Sequence, residues 1–204
     1  MSPPEDNICA CTRTRLIEAA RDAFMNEGYR ASMEAIAARA GVAKQTLYNH
    51  FSSKDELFSE AARLFSEAIL VTLDSEDDDF MTTLRNFART FRERALSEEG
   101  VAVFRSLIAE SNRFPALAQA FLVKGHVPTA TRLAAFLEAA MDDGILRRDD
   151  PKFAAEMLMG MLAGSDKIHR LCATPRSDMP EDERIEKMLD CFLRAYAPPS
   201  NLRK

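Results

Sequence analysis

The sequence predicts an all-α protein of about nine helices, with a small N-terminal three-helix unit followed by a larger helical bundle. Three observations predict it. Apolar residues recur at three- and four-residue spacing through most of the chain. Ser or Asp caps and helix-ending Gly or Pro punctuate that pattern. The composition of the 204 residues, 47% hydrophobic and 29% charged with 7 Gly, 9 Pro and no Trp, favours helix, and no segment reads as a strand.

Residues 1–11 hold two prolines and no apolar period, and are expected to form a mobile arm. From Thr12 a helix carries Leu16, Ala20, Ala23 and Phe24, and Gly28 ends it. Ser32 caps a short helix with Met33, Ile36, Ala37 and Ala40 as its apolar positions, and Gly41 stops it. A third short helix spans Ala43 to His50. Ser53 and Glu56 then form a capping box, opening a long helix with Leu57, Ala61, Phe65, Ala68, Ile69 and Thr72 on one face. The acidic stretch 74–79 reads as a solvated loop whose last members suit the start of the next helix, and no Gly marks a calcium loop. Leu84, Phe87, Ala88 and Phe91 mark one further helix, and Val101, Phe104, Leu107 and Ile108 another. Phe114-Pro115 starts a stretch to Met141, broken or kinked at Gly125 and Pro128. Asp150-Pro151 opens a helix to Leu171, and Asp178-Met-Pro-Glu181 opens the last, which ends near Ala197. The division is thus an arm (1–11), a helix-turn-helix unit (12–56), a bundle (57–197) and a tail (198–204).

Lys plus Arg number 27 and Asp plus Glu 32, a net charge of −5, so the molecule as a whole is no polyanion binder. Between Arg13 and Lys54, however, seven basic residues face four acidic ones. Any nucleic-acid function is local to this end. No apolar run approaches the roughly 18 residues that span a bilayer, and Glu5 and Asp6 stand where a secretion leader has basic residues, so no membrane role and a cytoplasmic location are expected. Cys9, Cys11, Cys172 and Cys191 match no zinc spacing and are expected to be reduced and structural or incidental. Phosphate-binding Gly loops, His-Glu-x-x-His, Gly-x-Ser-x-Gly and paired Glu-x-x-His are all lacking, which argues against an enzyme and against a cofactor or metal.

The second and third helices, with the turn at Gly41, are a helix-turn-helix candidate. Ala37, four residues before Gly41, is small enough for a close crossing, and Ile36, Val42, Leu47 and Phe51 can pack the joint. With Leu47 inward, Lys44, Gln45, Thr46, Tyr48 and His50 decorate the outer and flanking surfaces, and such donor-rich side chains suit base edges and phosphates. A helical small-molecule or interaction module without DNA recognition is the competing reading.

The strings Gly28-Tyr29, Met33-Glu-Ala-Ile36-Ala37, Ala40-Gly41-Val42, Thr46-Leu47-Tyr48-Asn49-His50-Phe51 and Ser53-Lys54-Asp55-Glu56-Leu57 resemble the N-terminal domain of TetR-family transcriptional regulators over residues 12–60. The resemblance implies that residues 43–50 are a recognition helix in the major groove of double-stranded DNA. Lys44 and Gln45 then face base edges, lysine suiting guanine and glutamine adenine. Thr46, Tyr48 and His50 contact phosphates, as do Lys54 and Ser32 at their helix starts. Two alternatives stay open: Tyr48 packing its ring on the first helix, and His50 filling a turn. Ala43 departs from the family, where Ser or Thr commonly caps this helix. Arg13 and Arg15 either anchor the arm on DNA or solvate it.

Further on, Ile108 to Pro115, Gly144-Ile-Leu146, Asp150-Pro151 and Ala154 to Gly160 resemble the AcrR/AefR-like C-terminal domains of that family. This implies a repressor that a small, largely apolar effector releases from a palindromic operator, by a swing of the fourth helix, and a homodimer built from the last two helices. Residues 157–164 are apolar or small on every side, which calls for a second covering surface or a fully buried helix. Ala155, Leu158, Gly160, Leu162, Leu189, Phe192 and Leu193 are the candidate dimer seam. Phe87, Phe91, Phe104, Ile108, Asn112, Phe121, Met157 and Met161 are candidate effector contacts, with His126 and His169 as further polar handles; the same apolar residues also read as plain core.

Overall fold

In the computed structural model, which describes residues 5–74, 79–175 and 178–198, ten α-helices and no strand occur among the described residues. The first, α1 (Glu5–Glu27), begins seven residues before Thr12, so the segment read as an arm is helical from Glu5 on. Leu16, Ile17, Ala20, Ala23 and Phe24 form its buried stripe. Gly28, in the left-handed region at φ +63°, ends the helix and opens a single 3-10 turn, Gly28–Arg30.

Then come α2 (Met33–Arg39), α3 (Lys44–His50) and α4 (Lys54–Leu70). Ser32 Oγ accepts from the Ala35 N–H at 3.1 Å, the predicted cap. At α4, Ser53 Oγ accepts from the Glu56 N–H at 3.1 Å, also as predicted. The Glu56 carboxylate reaches Ser52 rather than Ser53, because Ser52 offers both its N–H (2.8 Å) and its hydroxyl (2.7 Å).

Beyond lie α5 (Phe80–Leu96), α6 (Glu98–Glu110), α7 (Pro115–Phe121), α8 (Val127–Asp142), α9 (Pro151–Leu171) and α10 (Glu181–Ala195). Asp79 caps α5 through the Thr82 N–H at 2.9 Å, as the acidic stretch implied; residues 75–78 of that stretch lie outside the described residues. The predicted break between Phe114 and Met141 is a five-residue π-helical segment, Leu122–His126, between α7 and α8. Asp150 caps α9, accepting from Lys152 and Phe153. Asp178 does not cap α10, since Pro180, fixed in an extended conformation, occupies the position before the helix.

Two compact units result, and they do not follow the 56/57 division read from the sequence. One comprises residues 1–65 and 102–125, the other 66–101 and 126–204. In the first, Leu107 joins the buried core of Leu16, Phe24, Ile36, Leu47, Phe51 and Phe58, with Phe104, Phe114 and Phe121 packed on it. Long aromatic side chains of α6 and α7 find their apolar surface there, which local periodicity cannot reveal. In the second, α5, α8, α9 and α10 bury Phe87, Leu133, Leu137, Leu158, Leu162, Leu189 and Phe192. A fully buried Arg92 lies in this unit, donating to Asp166 (2.6 Å), Glu181 (2.6 Å) and the Leu162 carbonyl, so the charge is compensated where it is desolvated.

Candidate nucleic-acid interface

The geometry of α3 is set by the turn before it. Gly41 takes φ +67°, and the N–H groups of Val42 and Gly41 close on the carbonyls of Ala37 (3.0 Å) and Ala38 (3.1 Å), a Schellman pairing that satisfies the end of α2. Arg15 of α1 donates to the Ala40 carbonyl and lies over Gly41. Ile36, Leu47 and Phe51 are fully buried and Val42 partly, which pins α3 by one face. Lys44, Gln45, Tyr48 and Asn49 consequently stand exposed on the other, with Thr46 and His50 half-buried at its edges. Ala43 precedes the helix without any side-chain cap.

The exposed face is ordered by its own contacts. Lys44 Nζ is ion-paired with the Glu34 carboxylate of α2 and lies 5.8 Å from the Tyr48 ring centre. Hydrogen bonding to this partner holds the Glu34 carboxyl below its ordinary pKa and raises that of Lys44. Gln45 Nε2 donates to Asn49 Oδ1 at 3.1 Å, one helical turn on. Tyr48 is 41% exposed, with its ring toward Lys44 rather than buried against α1. The Ser32 oxygen is engaged as the α2 cap, and its hydroxyl also bonds the Glu34 carboxylate.

Lys54 is half-buried rather than a free surface cation. Its ammonium donates to the Tyr29 carbonyl and sits 4.3 Å above the Tyr29 ring, and burial holds its pKa below the ordinary lysine value. Tyr29, which the sequence reading quoted in the family string, was given no role there. Its ring meets Phe24, Phe58 and Phe114 at 5.3–6.2 Å, and its hydroxyl bonds Asp55. An aromatic directly after a helix-ending Gly was the available signal. Arg13 is likewise engaged within the chain, 2.9 Å from Glu60 and stacked 5.1 Å over Phe51.

The remaining candidate residues fall less together. Of the effector set, Phe87, Phe91, Met157 and Met161 belong to the second unit, where Phe87 and Phe91 stack at 5.7 Å within the core. Phe104, Ile108, Asn112 and Phe121 belong to the first, and there Ile108, 56% exposed and about a quarter-turn round α6 from buried Leu107, and Asn112, beyond the end of the helix, face solvent. His126 is held below its ordinary pKa by partial burial and by Lys167. His169 Nδ1 is 2.9 Å from Thr174 Oγ1. Of the dimer set, Ala155, Leu158, Leu162, Leu189 and Phe192 fill the chain's own core, contrary to their reading as a seam, because α5 and α8 claim that face of α9. Gly160 is exposed and Leu193 half-buried. The solvent face of α9 instead presents Phe153 (58%), Gly160, Gly164 and Ile168 (63%). Among the described residues no helix is long and apolar enough to cross a membrane, and no group of His, Cys, Asp and Glu could hold a metal ion.

Comparison with known proteins gives a consistent picture. A family model described as bacterial regulatory proteins of the tetR family matches residues 16–61, and one described as the C-terminal domain of AefR-like transcriptional repressors matches residues 82–198. The flavonoid-responsive regulator FrrA has a similar structure, with 32% identity, a TM-score of 0.72, and coverage of 94% of this chain and 100% of that one. A protein from Mesorhizobium loti assigned to the TetR-family regulators gives 29% identity, a TM-score of 0.79, and coverage of 93% and 98%. The transcriptional regulator UidR of Escherichia coli is 28% identical over 141 residues, 68% of this chain and 70% of UidR. The transcriptional activator FasR of Mycolicibacterium smegmatis is 39% identical over 79 residues, which span 38% of this chain and 31% of FasR. These relatives are regulators rather than enzymes.

Proposed function

Because the chain belongs to the TetR family of bacterial regulatory proteins, we propose that it represses transcription from a palindromic operator and is released from it by a small, largely apolar effector. One observation carries the DNA side: α3 is pinned through Leu47, and the opposite face offers Lys44 and Gln45 to solvent. In this reading those two residues meet base edges in the major groove, and Thr46, Tyr48, His50, Ser32 and Lys54 meet phosphates. Two such helices, related by the two-fold axis of a homodimer, enter successive major grooves. Repression is favoured over activation by the match to AefR-like repressors across residues 82–198. The effector class is supported by the apolar side chains of Phe87, Phe91, Met157 and Met161 in the bundle and by the flavonoid response that FrrA is named for. The exposed α9 residues, with Leu193, take the place of the buried ones as the proposed subunit contact. Effector binding need favour the DNA-incompetent state by only about 1–3 kcal/mol.

The test is a selection of DNA by the purified chain from a random duplex library, followed by titration against excess random competitor at two salt concentrations. An enriched duplex whose binding survives competitor is expected. Lys44→Ala with Gln45→Ala should abolish that preference while leaving the oligomer intact by light scattering. Full sequence preference in the double variant would contradict the assignment of base reading to these residues.

A further inference from the structure

Glu34 lies in the first turn of α2, two residues after the Ser32 cap. A helix start favours an acid there, and that alone accounts for its presence. It does not account for its partner. The carboxylate is ion-paired across the turn with Lys44, the first residue of α3 and the lysine assigned to base reading. Both side chains are exposed, so the pair adds little stability and is weakened by salt. Its consequence falls on the lysine. An ammonium on a flexible four-carbon stem carries three rotatable donors, and an unpaired one on a DNA-facing helix bonds any phosphate within reach. Glu34 keeps this ammonium in one place, against the Tyr48 ring, and offsets its charge at a distance. Guanine O6 and N7 can take the two remaining donors with the pair intact. A phosphate reached by swinging away requires the pair to break, and the carboxylate repels it.

We infer that Glu34 is a specificity-determining residue, which through Lys44 suppresses binding to random DNA more than binding to the operator. The inference rests on the reading that Lys44 contacts bases. Anisotropy titrations test it, on a random-sequence duplex and on the duplex that the wild-type chain enriches, between about 50 and 200 mM KCl. Glu34→Gln is expected to bind the random duplex about three- to tenfold tighter, with a salt slope steeper by about one, while its affinity for the enriched duplex changes less than about twofold. Glu34→Asp, which keeps the carboxylate, should stay near wild type, and thermal unfolding of both variants should match it. In a Lys44→Met background the Gln substitution should have no effect. An unchanged ratio and slope in Glu34→Gln would overturn the inference. So would equal tightening in the Lys44→Met background, which would mean plain repulsion of DNA by Glu34. A Lys44→Met chain with full sequence preference, or failure to enrich any duplex, would overturn the underlying reading and this inference with it.

Discussion

Glu60 shows how a residue of α4 can hold the N-terminal core together. Its carboxylate, 17% exposed, accepts from Arg13 of α1 at 2.9 Å and from Arg63 at 3.1 Å. Burial alone would raise its pKa, but the two guanidinium partners more than offset this and hold it below the ordinary carboxylate value. A carboxyl depressed on folding contributes stability that is fully present above its unfolded pKa and lost as pH falls through its folded one. The contribution of Glu60 is therefore complete at neutral pH and is lost as pH falls through the carboxylate range and on through its own depressed pKa. Urea unfolding at near-neutral pH and in the acid range should show Glu60→Gln less stable than wild type at neutral pH, with the gap closing on acidification. A gap independent of pH would assign the loss to packing instead. Lys54 belongs to the same order of detail: bonded to the Tyr29 carbonyl and lying over its ring, it can reach a phosphate only from a fixed seat.

Among the elements, the α2 turn bears most directly on the interface. At Gly41 a Cβ would be forced into the left-handed region and would meet Arg15 Nη2 at 3.1 Å. Gly41→Ala should cost about 1–2 kcal/mol from the backbone conformation, and more if Arg15 must leave the Ala40 carbonyl. Gly144, at φ +73° with open space around it, provides the control. Denaturant midpoints should fall further for Gly41→Ala than for Gly144→Ala, and only the former should weaken DNA binding. The signals that define this turn, Ser32, Ala37, Gly41 and Leu47, act within twenty residues, which is why the helix-turn-helix was legible in sequence. What was not legible is long-range. Periodicity marks Ala155, Leu158 and Leu162 as apolar without saying that α5 and α8 cover them, and it cannot attach Leu107 and Phe104 to the N-terminal core. The engagement of Lys54 with Tyr29 was equally hidden, since charge and position alone read as a phosphate contact.

For the whole molecule, the family's dimeric habit turns the exposed side of α9 into a prediction. A Cβ on Gly160 meets nothing within 4 Å in the folded chain. Gly160→Leu should therefore leave thermal unfolding of the chain's own core nearly unchanged, yet shift the dimer toward monomer on dilution, as read by sedimentation. An unaltered dimer would place the subunit contact elsewhere. The division into units has its own result for synthesis. The unit that carries α3 is discontinuous in sequence, because its core includes Leu107 and is packed by Phe104, Phe114 and Phe121. As the chain leaves the ribosome, residues 1–65 emerge without the surface that completes their core. At about 5–20 residues per second, the wait for residue 125 is roughly 3–12 seconds, during which the nascent DNA-reading end is an unfinished fold.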